Sequence, residues 1–586
     1  PEGARVEEGA DYVAPRTPAE EALAAIWREV LRTERVGIHD NFFDLGGDSI
    51  LSLQVIARAE RAGLLLSPRQ MFQHQTVAAL AEVAGAASAA PAEQEAGEGR
   101  VEVTPIQHWF LERGLEDAHH FNQSMLLAVR EPLDAGVLEE ALRHLLARHE
   151  ALRLRFRRRP SGWEQELAGT DEPVPLEQLH LSQVEGMAQK NRLQAKADRA
   201  QASLDLERGP VMRAVHFHLG AGKSERLLLV VHHLAVDWVS WRILLDDLER
   251  ACGQVARGEA VQLGARGTAY PRWAERLRAY AQRDAVRAEA GYWAGVGAGV
   301  APLPRDGDGD NTVADARVVS VSLDEDETEA LLQEVPAAYR TQINDVLLAA
   351  LAEAFHRWTG ERRLLIDLEG HGREDLFDDV DLSRTVGWFT AIYPVELERV
   401  DGGPGALLKS VKERLRAVPN RGVGYGVLRY LAEDAEVRAR MAAVPTPEVG
   451  FNYLGQVDAA LAGEGLFGRA RERKGRDHGP RQERLHLLEV ACSVSGGRLG
   501  VNLGYAEGVH DRDSIEELAE AYAEALREII EHCSSGEAGG FTPSDFPLVR
   551  LTQEQVDRIA GSGRGGQAVD PLSPLHQGIL FHSVAS

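Results

Sequence analysis

The sequence has 586 residues, of which 44% are hydrophobic and 27% are charged, a composition typical of globular proteins with packed cores. Sixty-five Lys and Arg residues against 91 Asp and Glu residues give a net charge of −26. This charge argues against nucleic acid or an anionic membrane as the main partner, because both attract positively charged proteins. The sequence contains no apolar run long enough to span a bilayer, and its three widely spaced cysteines favour a reducing, cytoplasmic location.

Four amphipathic helices are predicted within residues 17–85. The first begins with a capping box at Thr17, and the second begins near Ser49 after a Gly-Gly-Asp turn. Two further helices begin near Ser67 and Thr76. Four helices in so short a segment predict a small all-α bundle.

From residue 101 onward, apolar strands alternate with amphipathic helices, which predicts a large α/β body. A stretch rich in Gly, Pro and Asp at 299–311 is expected to divide this body into two lobes, 101–298 and 299–545. A body of this size exceeds a single core, so we expect a functional site between the lobes. Segments with the composition of linkers lie at 1–16, 86–100 and 546–566.

Ser49 stands at the predicted start of the second helix, where backbone amides favour a phosphodiester. The simpler interpretation, which the residues alone favour, is that Asp48 or Ser49 merely caps the helix. Residues 40–50 read Asp-Asn-Phe-Phe-Asp-Leu-Gly-Gly-Asp-Ser-Ile, which resembles the peptidyl carrier protein motif of nonribosomal peptide synthetases. The resemblance covers 17–85. It implies that a separate phosphopantetheinyl transferase attaches 4′-phosphopantetheine to Ser49, and that the thiol of this group holds an aminoacyl or peptidyl thioester.

Two histidines follow an apolar strand and precede a helix with apolar residues at core spacing. His232 and His233 lie at this strand end, with Asp237 four residues further on, and a histidine held there can transfer a proton near neutral pH. A zinc site is not expected, because adjacent histidines point in different directions and no Cys or third His is near in the sequence. A purely structural role for the pair stays open.

A second polar segment also follows a strand. Residues 369–374 read Glu-Gly-His-Gly-Arg-Glu, and the glycines on either side of His371 indicate either a tight loop lining a cavity or a solvated turn. These elements resemble the epimerization domains of nonribosomal peptide synthetases over about 101–535. The motifs that carry the resemblance occur in the family's order at 105–110, 232–244, 369–374, 384–390, 422–426 and 451–455. One position departs from the commoner form: Trp238 follows Asp237 where glycine is frequent, which bears on the shape of the pocket.

The resemblance implies two chloramphenicol-acetyltransferase-like lobes with a tunnel between them. His233 and Glu369 would be the proton-transfer pair, and Tyr453 would donate a hydrogen bond to the developing enolate. Which of the pair abstracts the proton stays open. The supporting residues that it implies are His232, Asp237, Ser240, Trp241, Arg373 and Arg384. Either Arg373 or Arg384 is a candidate partner for Asp237.

Inverting the Cα of an aminoacyl thioester requires two titratable groups on opposite faces of the substrate. The sequence has neither a Walker-type glycine loop nor a lysine in a Schiff-base setting, so no metal, pyridoxal phosphate or nucleotide is expected. One alternative is a condensation domain, which shares the His-His-x-x-x-Asp motif but does not need the opposing carboxylate. Glu369 and the Ser240-Trp241 pair favour epimerization over it. A non-catalytic docking domain is the other alternative.

The segment 567–586 resembles the beginning of a condensation domain, and 572–577 is similar to 103–108 at the head of the large body. The expected setting is an assembly line with an adenylation domain upstream and a condensation domain downstream.

Overall fold

The computed structural model describes residues 12–31, 33–43, 45–47, 49–66, 68–86, 98–160, 162–264, 266–456, 465–535 and 538–560. Most of the predicted linkers at 1–16 and 86–100 lie outside these residues, as do 561–566 and the predicted condensation-domain fragment at 567–586. Within the described ranges, every helix is too short or too polar to cross a bilayer.

The helices, α1 to α18 in chain order, are Pro18–Leu31, Ser49–Arg61, Pro68–Gln73, Val77–Val83, Pro105–Glu112, Ala135–Arg148, Gly186–Gln201, Trp238–Ala256, Tyr270–Tyr280, Asp284–Arg287, Ala290–Trp293, Glu325–Tyr339, Ile343–Thr359, Gly403–Arg416, Val423–Leu431, Ala435–Ala442, Arg512–Ser534 and Gln553–Ala560. The strands, β1 to β16, are Leu64–Leu65, Gly85–Ala86, Gly99–Val101, Asn122–Val129, Leu154–Arg159, Gly162–Leu167, Leu176–His180, Met212–His218, Glu225–His232, Ala316–Ser322, Arg363–Gly370, Ala391–Glu398, Val449–Gln456, Phe467–Arg469, Leu488–Ser495 and Arg498–Ala506.

Helices α1 to α4 surround a small apolar core of their own. The Thr17 hydroxyl accepts from the Glu20 amide at 3.2 Å, and the Glu20 carboxylate accepts from the Thr17 amide at 3.1 Å, which forms the capping box at the start of α1. At the centre of this core the rings of Trp27 and Phe42 meet edge to face, 5.0 Å apart. The short strands β1 and β2 pair across the helices, a contact that the helical pattern does not predict.

The large body is built on two main sheets. The first half of the chain contributes most of a five-stranded sheet in the order β14-β4-β9-β8-β7 and a smaller sheet in the order β3-β6-β5. The second half forms a six-stranded sheet in the order β10-β16-β15-β13-β11-β12. Helices cover both main sheets, so the predicted two-lobed α/β fold is confirmed.

Strand β14 crosses from one half of the chain to the other. It comes from the second half of the chain but pairs antiparallel with β4, placing Gly468 opposite Ala128 at the edge of the first sheet. The nine residues after β14 continue along the same lobe, where Phe121 and His478 form an isolated bridge. We call residues 465–480 the crossing segment. Its contacts join the two halves of the body.

Strand order brings the two predicted motifs of the second lobe to one sheet edge. Strands β11 and β13 run parallel, with Leu368 opposite Phe451. Parallel neighbours end at the same edge of a sheet, so Glu369, Asn452 and Tyr453 all follow that register toward the space between the lobes. Strand β9 of the first lobe ends at His232.

Candidate active site

Glu369 faces a cavity of about 400 Å³. The carboxylate is exposed to this space but enclosed by protein, and the Asn452 amide donates to its Oε2 at 2.8 Å. The pKa of Glu369 is raised to about 7, chiefly by desolvation; His486 opposes the shift, and the nearby carboxylate of Asp367 contributes to it. A carboxyl group with such a pKa can both accept and donate a proton near neutral pH.

The lining of this cavity includes Tyr453, which is half-buried, and Trp238 at the start of α8. The Trp238 indole N–H has no hydrogen-bond partner among the described residues. Phe43 and Gly47, from the loop that leads to Ser49, line the same cavity. The structure thus brings together Glu369, Tyr453 and the loop of the small helical domain.

His233 is held in one neutral tautomer. Its Nδ1–H donates to the Val236 carbonyl at 2.9 Å, and its Nε2 accepts from the Gln123 amide at 3.0 Å. The Trp388 ring lies over the imidazole with centroids 4.2 Å apart. Desolvation by the surrounding protein lowers the pKa of His233 to about 4, so the ring is neutral at physiological pH. Within the described part of the chain, His233 is not among the residues lining the Glu369 cavity.

His232 has no nitrogen available for chemistry. Its Nε2–H donates to the Ala118 carbonyl at 2.8 Å and its Nδ1 accepts from the Leu234 amide at 3.1 Å. The ring is fully buried, and desolvation lowers its pKa to about 3. These two bonds fix the turn that presents His233.

Asp237 pairs with Arg373, at 3.2 and 3.3 Å from Nη2 to the two carboxylate oxygens. The same nitrogen donates to the Ser240 hydroxyl at 2.9 Å. Asp237 also caps α8 by accepting from the Ser240 amide at 2.7 Å. Arg384, the other candidate partner, contacts Asp247 instead.

Ser240 and Arg373 anchor the loop that carries the Arg-Thr-Val-Gly-Trp-Phe motif. The Ser240 hydroxyl donates to the Gly387 carbonyl at 2.9 Å and accepts from the Gly387 amide at 3.1 Å. Arg373 donates to the carbonyls of Leu382 and Thr385 at 2.7 and 2.8 Å. Both side chains are buried, so the start of α8 in the first lobe is fixed to the 369–374 loop and the 382–389 loop of the second.

The conformation and close packing of the backbone require glycine at the position after His371. Gly372 has a φ of +66°, and a Cβ there would lie 1.7 Å from the Phe389 carbonyl oxygen. The His371 Nδ1 accepts from the Arg373 amide at 3.0 Å, which closes the turn. The tight-loop interpretation of the 369–374 motif therefore holds, and this loop lines the cavity.

Ser49 begins α2, although its side chain lies outside what the structure describes. The first turn of α2 has no acidic residue, which suits an attached phosphate at a helix N-terminus. Gly47 packs so closely that a Cβ would lie 2.4 Å from the Phe42 ring. The residues present therefore fit a phosphopantetheine attached at this loop.

Sequence reasoning did not identify Gln123, although its amide contacts His233. Gln123 lies on β4, opposite Val231 of β9, and accepts from the Trp241 indole N–H at 2.9 Å. The sequence signal for Gln123 is weak: it is a polar residue within strand β4, which pairs with the strand that ends in His232.

Comparison with known families agrees with this architecture. The condensation domain family model matches residues 97–548, and the phosphopantetheine attachment site model matches residues 21–84. The second match indicates a 4′-phosphopantetheine attached covalently to a serine.

Linear gramicidin synthase subunits C and D of Brevibacillus parabrevis are 50% and 45% identical to this chain over 98% and 100% of its length. The chain spans only 8% and 12% of those relatives. The epimerization domain from the third module of tyrocidine synthetase B is 33% identical, with a TM-score of 0.70 over 75% of this chain and 99% of that one. The X-domain from teicoplanin biosynthesis, at 22% identity and a TM-score of 0.58, shares the fold. The chain therefore belongs to the condensation domain family of nonribosomal peptide synthetases, with a phosphopantetheine-bearing carrier domain preceding the condensation-type body.

Proposed function

We propose that this protein inverts the Cα configuration of an aminoacyl or peptidyl thioester from L to D during nonribosomal peptide synthesis. The observation that carries the proposal is the position of the Glu369 carboxyl group in a cavity that the carrier loop also lines, and its raised pKa supports it. Amide formation has no need of a carboxyl group there, whereas inversion needs a group of this kind on one face of the substrate.

Ser49 is the residue we assign to phosphopantetheine attachment. Ser52, another serine in the matched segment, is only 1% exposed and lies in the core of the carrier domain. When attached, the group presents the acyl chain as a thioester, whose carbonyl acidifies the neighbouring Cα–H. Phe43 and Gly47 line the cavity, so the loop before Ser49 and Glu369 face the same space.

His233 and Glu369 share one proton in the proposed reaction. One of them removes the Cα proton from one face, while the other returns its own proton to the opposite face, and the roles exchange in the reverse direction. The number of protons on the pair is therefore unchanged by each inversion. Tyr453 donates a hydrogen bond to the substrate carbonyl oxygen as negative charge develops there.

Asp237, Arg373 and Ser240 hold the His233 turn against the second lobe, and Trp241 supports it through Gln123. Arg384 acts at a greater distance, since it pairs with Asp247 further along α8. None of these side chains needs to touch the substrate. Their role is to keep the acid and the base on separate lobes in fixed positions.

The competing function is amide bond formation between two carrier-bound substrates, because condensation domains give the family its name and share the His233 motif. A non-catalytic docking domain is the third possibility, but it gives no reason for the Glu369 cavity. The proposed partners are a phosphopantetheinyl transferase, an upstream adenylation domain and a downstream condensation domain in a cytoplasmic assembly line.

The test loads Ser49 with an L-aminoacyl phosphopantetheine in heavy water and follows the mass and chirality of the released acid. We expect a one-dalton gain together with drift toward an L/D mixture. Glu369→Gln should slow inversion by about 100-fold or more, since it removes a proton-transfer group without changing the shape of the side chain.

Glu361→Gln is the matched control, because Glu361 is exposed just before the opposite end of β11. Full inversion by Glu369→Gln would contradict the assignment of this residue. Amide formation with a second loaded carrier, without inversion, would establish the condensation function instead.

A further inference from the structure

The Nε2 lone pair of His233, one of the two proposed proton-transfer groups, is occupied by a hydrogen bond in this structure. His233 Nε2 faces the Gln123 side-chain nitrogen at 3.0 Å, and Gln123 Oε1 faces the Trp241 indole nitrogen at 2.9 Å. The opposite ring nitrogen of His233 faces the Val236 carbonyl at 2.9 Å. Three hydrogen bonds therefore run in series from α8 through β4 to the turn after β9.

The donor and acceptor of each bond in this series follow from the chemistry of Trp241. An indole N–H can only donate, so the Gln123 oxygen must face Trp241. The NH2 group of Gln123 then faces His233, and an NH2 group can only donate. His233 Nε2 must therefore accept and Nδ1 must hold the proton, which the Val236 carbonyl accepts. The amide orientation and the tautomer are both determined by the chemistry of Trp241.

We propose that Gln123 is a positioning residue that holds His233 as the neutral Nδ1–H tautomer and disfavours its protonation at Nε2. This inference rests on the proposed epimerase function. Protonation of Nε2 would set an N–H against the NH2 of Gln123, so the imidazolium loses this bond while the neutral ring keeps it. The neutral ring is thereby the resting form, and Nε2 takes up a proton only when it gives up the bond from Gln123. The imidazolium so formed is a stronger acid when the roles of the pair exchange in the reverse direction.

Other titratable groups around His233 also affect its protonation electrostatically. His232 lies on the same turn, Asp237 begins α8, and His478 reaches the site from the crossing segment. Asp237 favours the imidazolium, but its carboxylate is neutralised by Arg373. His232 and His478 disfavour it. Gln123 differs from all of them because it contacts the reacting nitrogen itself.

Replacing the amide with a carboxylate of the same shape reverses the effect. In Gln123→Glu, one oxygen still accepts from Trp241 and the other accepts from a protonated His233 Nε2, so the imidazolium gains a charged hydrogen bond. We expect the acid limb of the pH–rate profile for inversion to move to higher pH by at least about one unit. This shift corresponds to a tenfold change in the proton affinity of His233. A residue that only fills space would not move this limb.

The experiment measures initial rates of inversion on the loaded full chain across a pH series for wild type, Gln123→Glu and the control Gln178→Glu. Gln178 is exposed on β7 of the same sheet, so its variant adds the same charge away from the site. A Gln123→Glu profile that coincides with those of wild type and the control would overturn the inference. Wild type without any inversion would instead refute the proposed function, so the two failures are distinguishable.

Trp241→Phe tests the same series of bonds from its other end, should Gln123→Glu fail to fold. Phenylalanine keeps an aromatic ring but removes the N–H, so the Gln123 amide is free to rotate and present its oxygen to His233. We expect the acid limb to move in the same direction by a smaller amount. An unchanged limb in a folded Trp241→Phe variant would overturn the inference.

Discussion

The pKa values of Glu369 and His233 are shifted in opposite directions by the same physical cause. Desolvation favours the neutral form of each group, which raises the pKa of Glu369 to about 7 and lowers that of His233 to about 4. Between these values the pair holds one proton, and that proton resides on Glu369. In the proposed reaction, the resting pair is thus an uncharged acid and an uncharged base, one from each lobe.

The pH dependence of inversion follows from this proton count. Below about pH 4 both groups are protonated and no base remains; above about pH 7 Glu369 is ionised while His233 is neutral, so no acid remains. Inversion in either direction uses the singly protonated pair, so we expect L-to-D and D-to-L rates to share one bell-shaped profile that falls above about pH 7. Initial rates with L- and D-loaded carrier at constant ionic strength would check this. Rates that rise through pH 7 in both directions would contradict it.

At this scale the sequence predicts only those residues whose role depends on a motif. The motifs predict His233, Glu369 and Tyr453, and the structure places Glu369 and Tyr453 on one cavity, which His233 does not line among the described residues. The choice of Arg373 over Arg384 as the partner of Asp237 depends on how two loops fold over α8, which spacing does not encode. Gln123 is harder to predict, because it contacts His233 only when β4 pairs with β9, a contact across more than a hundred residues.

At the scale of elements, the first turn of α8 and the loop 382–389 are joined by buried polar contacts. Arg373 is the centre of this network, with bonds to Asp237, Ser240 and two backbone carbonyls. Removing one partner of a buried ion pair leaves the other charge uncompensated in a low dielectric. Arg373 thus joins the start of α8 in the first lobe to the 382–389 loop of the second through several buried bonds.

Arg373→Met should lower the free energy of unfolding of the body by about 3–5 kcal/mol. The matched control is Arg362→Met, because Arg362 pairs with Asp401 at 3.0 Å on the surface, where both side chains are largely exposed. Loss of that pair should cost no more than about 1 kcal/mol. Urea unfolding followed by fluorescence compares the two variants. Equal midpoints would show that the buried pair does not stabilise the body.

Elements with local signals were predictable and elements made by distant pairing were not. The capping boxes and amphipathic repeats predicted α1 to α4, and apolar runs predicted β9 and β11, because each signal lies within the element. The two-residue strands β1 and β2 and the three-residue strand β14 are too short to show periodicity. Their existence depends on partners far away in the chain.

At the scale of the whole molecule, the crossing segment connects the second half of the chain to His233 in the first half. Arg226 of β9 binds Glu472 through two bonds of 2.8 Å, and Ser124 of β4 donates to Asp477 at 2.5 Å. The next residue, His478, stacks on Phe121 with ring centroids 4.6 Å apart. Phe121 stacks in turn on His233, and its carbonyl accepts from the His233 amide at 2.9 Å.

We expect this stack to make His478 a support for the turn that carries His233 rather than a proton-transfer group. Desolvation lowers the pKa of His478, which favours the neutral ring, and this ring stacks on Phe121. His478→Ala should leave Phe121 without a neighbour on one face and slow inversion about tenfold, a loss of about 1.4 kcal/mol in the transition state. His478→Phe keeps a flat ring without a titratable nitrogen and should retain nearly the wild-type rate. Inversion assays on the two variants distinguish stacking from proton transfer: if His478→Phe were as slow as His478→Ala, the imidazole nitrogens would be required and the crossing segment would contribute chemistry as well as support.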